Sequence, residues 1–132
     1  MMKYALNALL ALILAFTPTS ANAQSTTLDE IDEMQLAWED LEFDDYFLRF
    51  EYTSLWNMYA VQARVESGHV EDVRMVCTPS LILDTCYLPD LPLDTLDVSV
   101  LFNFARESVE IDDQWTTVEF DRYSFYPQTI SF

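Results

Sequence analysis

Hydrophobic and polar positions along this chain repeat with two different periods, and each change of period marks an element boundary. Leu28, Ile31, Met34, Trp38 and Leu41 recur at three- and four-residue spacing, which predicts an amphipathic helix over 27–42. Thr26 and Thr27 precede an acidic first turn, Asp29-Glu30, suited to a helix N-terminus and its dipole. From Tyr46 the period drops to two. Tyr46, Leu48, Phe50 and Tyr52 alternate with Phe47, Arg49, Glu51 and Thr53, the pattern of a half-buried strand. Tyr59, Val61, Ala63 and Val65 repeat that pattern in a second run. Ser67-Gly68 then supplies the sequence's one glycine where a tight hairpin needs a residue free to take positive φ, and Val70 to Val76 returns as a third strand.

The periodicity lapses between Thr78 and Asp94, a stretch that holds Pro79, Pro89 and Pro92 and reads as a long loop. Thr95 and Asp97 offer caps for a second helix over 96–109, whose apolar stripe is Val98, Leu101, Phe102, Ala105 and Val109. Trp115 to Arg122 reads as a strand with Val118 and Phe120 on one face. A loop through Tyr126-Pro127 leads to a short last strand ending at Phe132. The order α-β-β-β-α-β-β predicts an α+β domain, an antiparallel sheet with the helices packed on one face.

The start of the chain falls outside this scheme. Lys3 is followed by an apolar stretch from Ala5 to Phe16, a helix-breaking Thr17-Pro18-Thr19-Ser20, and the small residues Ala21-Asn22-Ala23. That is the build of a signal peptide, expected to be cut between Ala23 and Gln24, and the run is too short to span a bilayer. Its removal leaves residues 24–132 as one exported domain without a membrane span. Cys77 and Cys86 both lie in that part, and an even count in an oxidising compartment predicts a disulfide. The bridge would close a loop worth about 2.5–3 kcal/mol in the chain-entropy description.

Charge narrows the function classes. The whole chain carries Lys+Arg 6 against Asp+Glu 23, a formal −17. Loss of Lys3 with the leader makes it −18, with Arg49, Arg64, Arg74, Arg106 and Arg122 as the remaining cations. No basic footprint for nucleic acid exists here. One glycine and one histidine exclude Gly-rich phosphate cradles and His-rich zinc sites, and a lysine-free domain excludes Schiff-base chemistry. His69 sits beside the hairpin turn and reads as a solvent-facing residue. The carboxylate pairs Asp44-Asp45, Asp112-Asp113 and Glu119/Asp121 are expected by chance in so acidic a chain, and Asp121 stands where an Asx-turn would close the last hairpin. Asp90, Asp94 and Asp97 offer the hard oxygens that calcium takes, but without the spacing and glycine of a calcium loop. Asp94 and Asp97 are read as helix caps. No catalytic residue, cofactor or metal ligand is assigned. A closed membrane barrel needs at least about eight strands, and five are predicted.

Trp38 on the first helix, the alternating Tyr46–Tyr52 strand, the turn around Gly68, Leu101-Phe102, Phe120-Asp121, Tyr126-Pro127 and Thr129-Ile130 occur in an order that resembles a family of small exported bacterial proteins with a domain of unknown function. The resemblance covers nearly all of residues 24–132. Relatives tend to carry Gly where Phe125 stands, and many have cysteines where Ser54-Leu55-Trp56 stand. It implies export but no catalytic residue. The expected function is a small non-enzymatic envelope or secreted domain that binds another exported protein. The alternative is an acidic inhibitor or immunity-type protein that binds a basic enzyme. Large aromatics in connections point to the contact surface: Trp56 between the first two strands, and Tyr123, Phe125 and Tyr126 beside Arg122 in the final hairpin.

Overall fold

The computed structural model describes residues 25–82, 85–86 and 91–132. The leader with its Ala23–Gln24 junction, and Asp90 of the calcium reading, lie outside the described residues. The first helix, α1 (Leu28–Glu39), starts where Thr27 Oγ accepts the Glu30 amide at 3.2 Å. It ends three residues short of the periodic pattern. Leu41 and Glu42 donate to Trp38 and Glu39 in i→i+3 bonds that tighten the last turn, and Glu42 swings to φ 52° to redirect the chain.

Three strands follow: β1 (Tyr46–Thr53), β2 (Asn57–Glu66) and β3 (His69–Pro79). Between β2 and β3, Ser67 and Gly68 both take positive φ, 50° and 73°, as the two-residue turn that matches strand twist requires. The Ser67 amide donates to Asp45 Oδ1 at 2.6 Å and the Gly68 amide to Asp44 O at 2.9 Å. The first carboxylate pair thus buttresses a hairpin. β3 runs past the expected end at Val76, so Cys77 lies within the strand, bridged to Cys86 with the two Cα atoms 6.3 Å apart. A 3-10 turn at Leu93–Thr95 returns the chain to α2 (Val98–Ile111), capped by Asp97, whose Oδ1 accepts the Val100 amide at 2.9 Å. β4 (Thr117–Phe120), shorter than the expected strand, and β5 (Pro127–Ser131) complete the fold.

The five strands form one sheet in the order β3-β2-β1-β5-β4, with both helices over one face. Three neighbouring pairs are antiparallel. The fourth, β1 with β5, is parallel, with Glu51 opposite Thr129 and Thr53 opposite Ser131. The predicted α+β architecture holds, and this one parallel contact is what local periodicity could not announce. Alternation decides which side of the sheet is core. Leu48 and Phe50 of β1, Val61 and Ala63 of β2, Val118 and Ile130 are buried and meet the α2 stripe of Val98, Leu101, Phe102, Ala105 and Val109. Burying a side chain the size of Phe50 or Phe102 stabilises by about 1.5–3 kcal/mol. α1 contributes less, with Ile31 fully buried and Met34 and Trp38 partly so. Arg106 ties the helices together through Asp32 at 2.7 Å and Gln35 at 2.9 Å.

The outer edge of β4 is closed by the segment before α1. Thr26 Oγ1 accepts the Val118 amide at 2.7 Å and donates to the Val118 carbonyl at 3.2 Å. One hydroxyl so satisfies both backbone groups that an edge strand would otherwise leave open. Among the described residues no helix is long and apolar enough to cross a membrane.

Candidate functional site: a groove at one end of the sheet

The loop aromatics singled out from sequence fall at opposite ends of the sheet. Because β5 runs parallel to β1, the β4–β5 connection lies near the start of β1, whereas the β1–β2 turn lies beyond its end. At the first end, Asp121 organises the connection. Its Oδ1 accepts the Tyr123 and Ser124 amides at 3.0 and 2.8 Å, and its amide donates to Tyr126 O at 2.8 Å. This is the expected Asx-turn. Burial pushes the Asp121 carboxyl up, but the Ser124 and Tyr123 amides and the Ser124 hydroxyl outweigh it and hold it below its ordinary value. A general acid needs the opposite displacement.

Phe125 adopts φ 64°, left-handed backbone uncommon for a side chain of that size, and is half-buried. Tyr126 is only 7% exposed. Its hydroxyl accepts the Arg49 amide at 3.1 Å and donates to the Arg49 carbonyl at 3.3 Å, and its ring packs edge-on to Trp38. Tyr126 is therefore a core residue. Arg122 and Tyr123 remain outside, the guanidinium 5.8 Å from the ring centre.

The other end differs in kind. Ser54 N–H donates to Asn57 O at 3.0 Å, and Ser54 Oγ accepts the Trp56 and Asn57 amides, both at 3.3 Å. This tight turn holds Leu55 and Trp56 at its tip, where neither can fold back; Trp56 is 54% exposed and Leu55 more so. Beside them a groove of about 530 Å³ opens between the turn and the last two turns of α2. Tyr52, Phe104 and Phe132 line it, with Tyr52 within 5.6 Å of Phe104 and 5.4 Å of Phe132 between ring centres. Ile111, 84% exposed, stands on its helical side. Register places Trp115, also exposed, at this same end, because Thr117 pairs with Ser131 next to Phe132. The volume falls within the ~300–1,000 Å³ of ordinary binding sites.

Trp56 is the one predicted contact residue in this groove; Ile111, Phe132 and Trp115 were not singled out. The missed signal was Ile111, which sits off the stripe that ends at Val109 yet is large and apolar. A second, smaller apolar space of about 50 Å³ lies between Phe50, Tyr59, Met75, Leu91 and Leu93, too small for more than a few waters.

Of the other acidic residues, Asp112 closes α2 through its backbone: its N–H donates to Ser108 O and its carbonyl accepts the Thr116 amide. Asp94 sits in the 3-10 turn and Asp97 caps α2. Among the described residues no three His, Cys, Asp or Glu side chains come together as metal ligands. His69 lies exposed beside its turn, Nδ1 2.8 Å from Ser67 O. Comparison with known proteins returned no matching family model, no curated protein and no solved structure.

Proposed function

We propose that this chain is an exported, non-enzymatic domain that acts by binding another protein of the envelope or extracellular space, and that the groove beside Trp56 is the contact surface. The observation that carries this reading is the gathering of Leu55, Trp56, Ile111, Trp115 and Phe132, all solvent-exposed, at one end of a domain whose core is already filled. Exposed apolar patches of this kind mark interaction sites, and Trp is a residue type that dominates binding energy. The disulfide is compatible with an oxidising compartment. The signal-like leader and the motif resemblance to small exported proteins support the same setting.

A second reading, an acidic inhibitor of a basic enzyme, draws support from the helical layer. There Asp29, Glu30, Glu33, Glu107 and Glu110 face solvent, and Arg106 is engaged by Asp32. The two readings differ in salt response. Affinity capture from periplasmic extract at low salt and at roughly 0.5 M NaCl separates them, because charge steering is screened and apolar burial is not. Retention of the captured protein at high salt supports the groove. Release at high salt supports the acidic face.

A further inference from the structure

The groove is apolar in its floor but not in its charge. Glu107 is the one acidic side chain that lines it; it is exposed and makes no ion pair among the described residues. Glu110 and Asp113 line a separate cleft with residues 25–29 and not the groove. No arginine lines the groove, and Arg106 next to Glu107 is turned to Asp32 and Gln35. On α2, Glu107 and Ile111 are four residues apart, so the acid and the apolar wall share one helix face with their Cβ atoms about 5–6 Å apart. An extended peptide presents residues i and i+2 on one side at about 6.6 Å, close to that spacing.

We propose that the groove takes an extended peptide segment with a large apolar side chain and, two residues away, a lysine or arginine that pairs with Glu107. The inference rests on the groove being the contact surface and names its partner's chemistry. Charge decides between occupants. A second copy brings another −17 to a groove whose one lining side-chain charge is that of Glu107, and an anionic membrane is repelled in the same way. A basic, apolar segment gains from both features at once. The tight Ser54–Asn57 turn keeps Leu55 and Trp56 in place, so little ordering is needed on binding.

The test uses a fluorescent twelve-residue peptide of repeating Leu-Ser-Lys-Ser and anisotropy with the oxidised protein at about 150 mM NaCl. One control replaces Lys by Glu and another replaces Leu by Ser. The Leu/Lys peptide is expected to bind at least about tenfold more tightly than either control. Glu107→Gln should weaken it about three- to tenfold. Ile111→Asp should abolish binding although it makes the protein more acidic, and Leu55→Asp should do the same with the melting temperature unchanged. Equal binding of the Leu/Glu peptide overturns the basic-partner inference and leaves the groove reading standing. Binding of every Lys peptide regardless of Leu or of Ile111→Asp shows charge attraction alone and also overturns it. A concentration-dependent dimer that Ile111→Asp dissolves makes a second copy the occupant, which overturns it too. If no peptide binds and Ile111→Asp leaves capture from extract intact, the inference and the groove reading fall together.

Discussion

Both ends of the sheet are rich in aromatic residues, yet at one end rings seal the core, with Phe43 and Tyr123 left exposed outside it, and the other end holds an open groove. At the sealed end Trp38 meets Phe43, Tyr46 and Tyr126 in edge-to-face contacts 5.0–6.0 Å between ring centres. Its phenols are also used: Tyr46 accepts the Val98 amide and Tyr126 brackets Arg49. At the open end Tyr52, Phe104 and Phe132 pack as a floor, while Trp56 and Ile111 project past it. The difference shows what an aromatic residue in a connection means. Where a backbone group waits within reach of its polar tip and another ring faces its edge, it finishes the core. Where a tight turn holds it away from any such partner, it stays exposed to solvent.

The largest effect expected from this contrast is at Tyr126. Tyr126→Ala should cost about 3–4 kcal/mol in chemical denaturation, from lost ring packing and two orphaned Arg49 backbone groups. Tyr126→Phe, which keeps the ring, should cost about 1 kcal/mol. A Tyr126→Ala variant as stable as the parent would break the sealed-end description. Next is the bridge. Cys86→Ser should lower stability by about 2.5–3 kcal/mol while leaving far-UV circular dichroism unchanged.

The pH response sharpens the same contrast, because titrating groups that feel the fold concentrate in aromatic packing. Burial raises the phenols of Tyr46, Tyr52, Tyr59 and Tyr126; it is opposed at Tyr46 and Tyr126 by backbone donors and at Tyr59 by Asn57. A raised phenol contributes stability that is complete below the ordinary value of 10.0 and is lost as pH climbs through the folded value. Melting temperature should therefore fall on the alkaline side above pH 10. Asp121 has the opposite sign. Its lowered carboxyl contributes stability above the ordinary 3.8 that is lost as pH falls through the folded value. Asp121→Asn, which keeps an oxygen acceptor but not the charge, should remove that acid limb and lower neutral-pH stability by about 1 kcal/mol. The smallest effect is at the open end, where Trp56→Ala should change stability by less than about 0.5 kcal/mol.

Much of this architecture was legible before any coordinates. The α2 stripe from Val98 to Val109 and the alternation in β1 and β2 are local signals, and each of those residues lies on the core side where its period placed it, with Tyr46 and Tyr52 only partly buried. Thr27 and Asp97 act as the caps their positions suggested. What stayed hidden was non-local. Tyr126 and Trp56 look alike in sequence; only the meeting of β5 with β1 sets Tyr126 against Arg49, 77 residues earlier. The parallel β1–β5 pair leaves no mark on periodicity, because alternation records which face a residue takes and not which strand lies beside it. The groove was invisible for the same reason, being assembled from a hairpin tip, a helix end and Phe132.

The proposed contact surface is the end carrying Trp56 and Ile111, not the end carrying Tyr123. Capture from periplasmic extract with Ile111→Asp and Tyr123→Ala variants, both exposed positions that should leave the fold intact, tests it directly. Ile111→Asp should lose the protein recovered by the parent, and Tyr123→Ala should recover it in full. Recovery by Ile111→Asp with loss by Tyr123→Ala would instead place the contact at the opposite end.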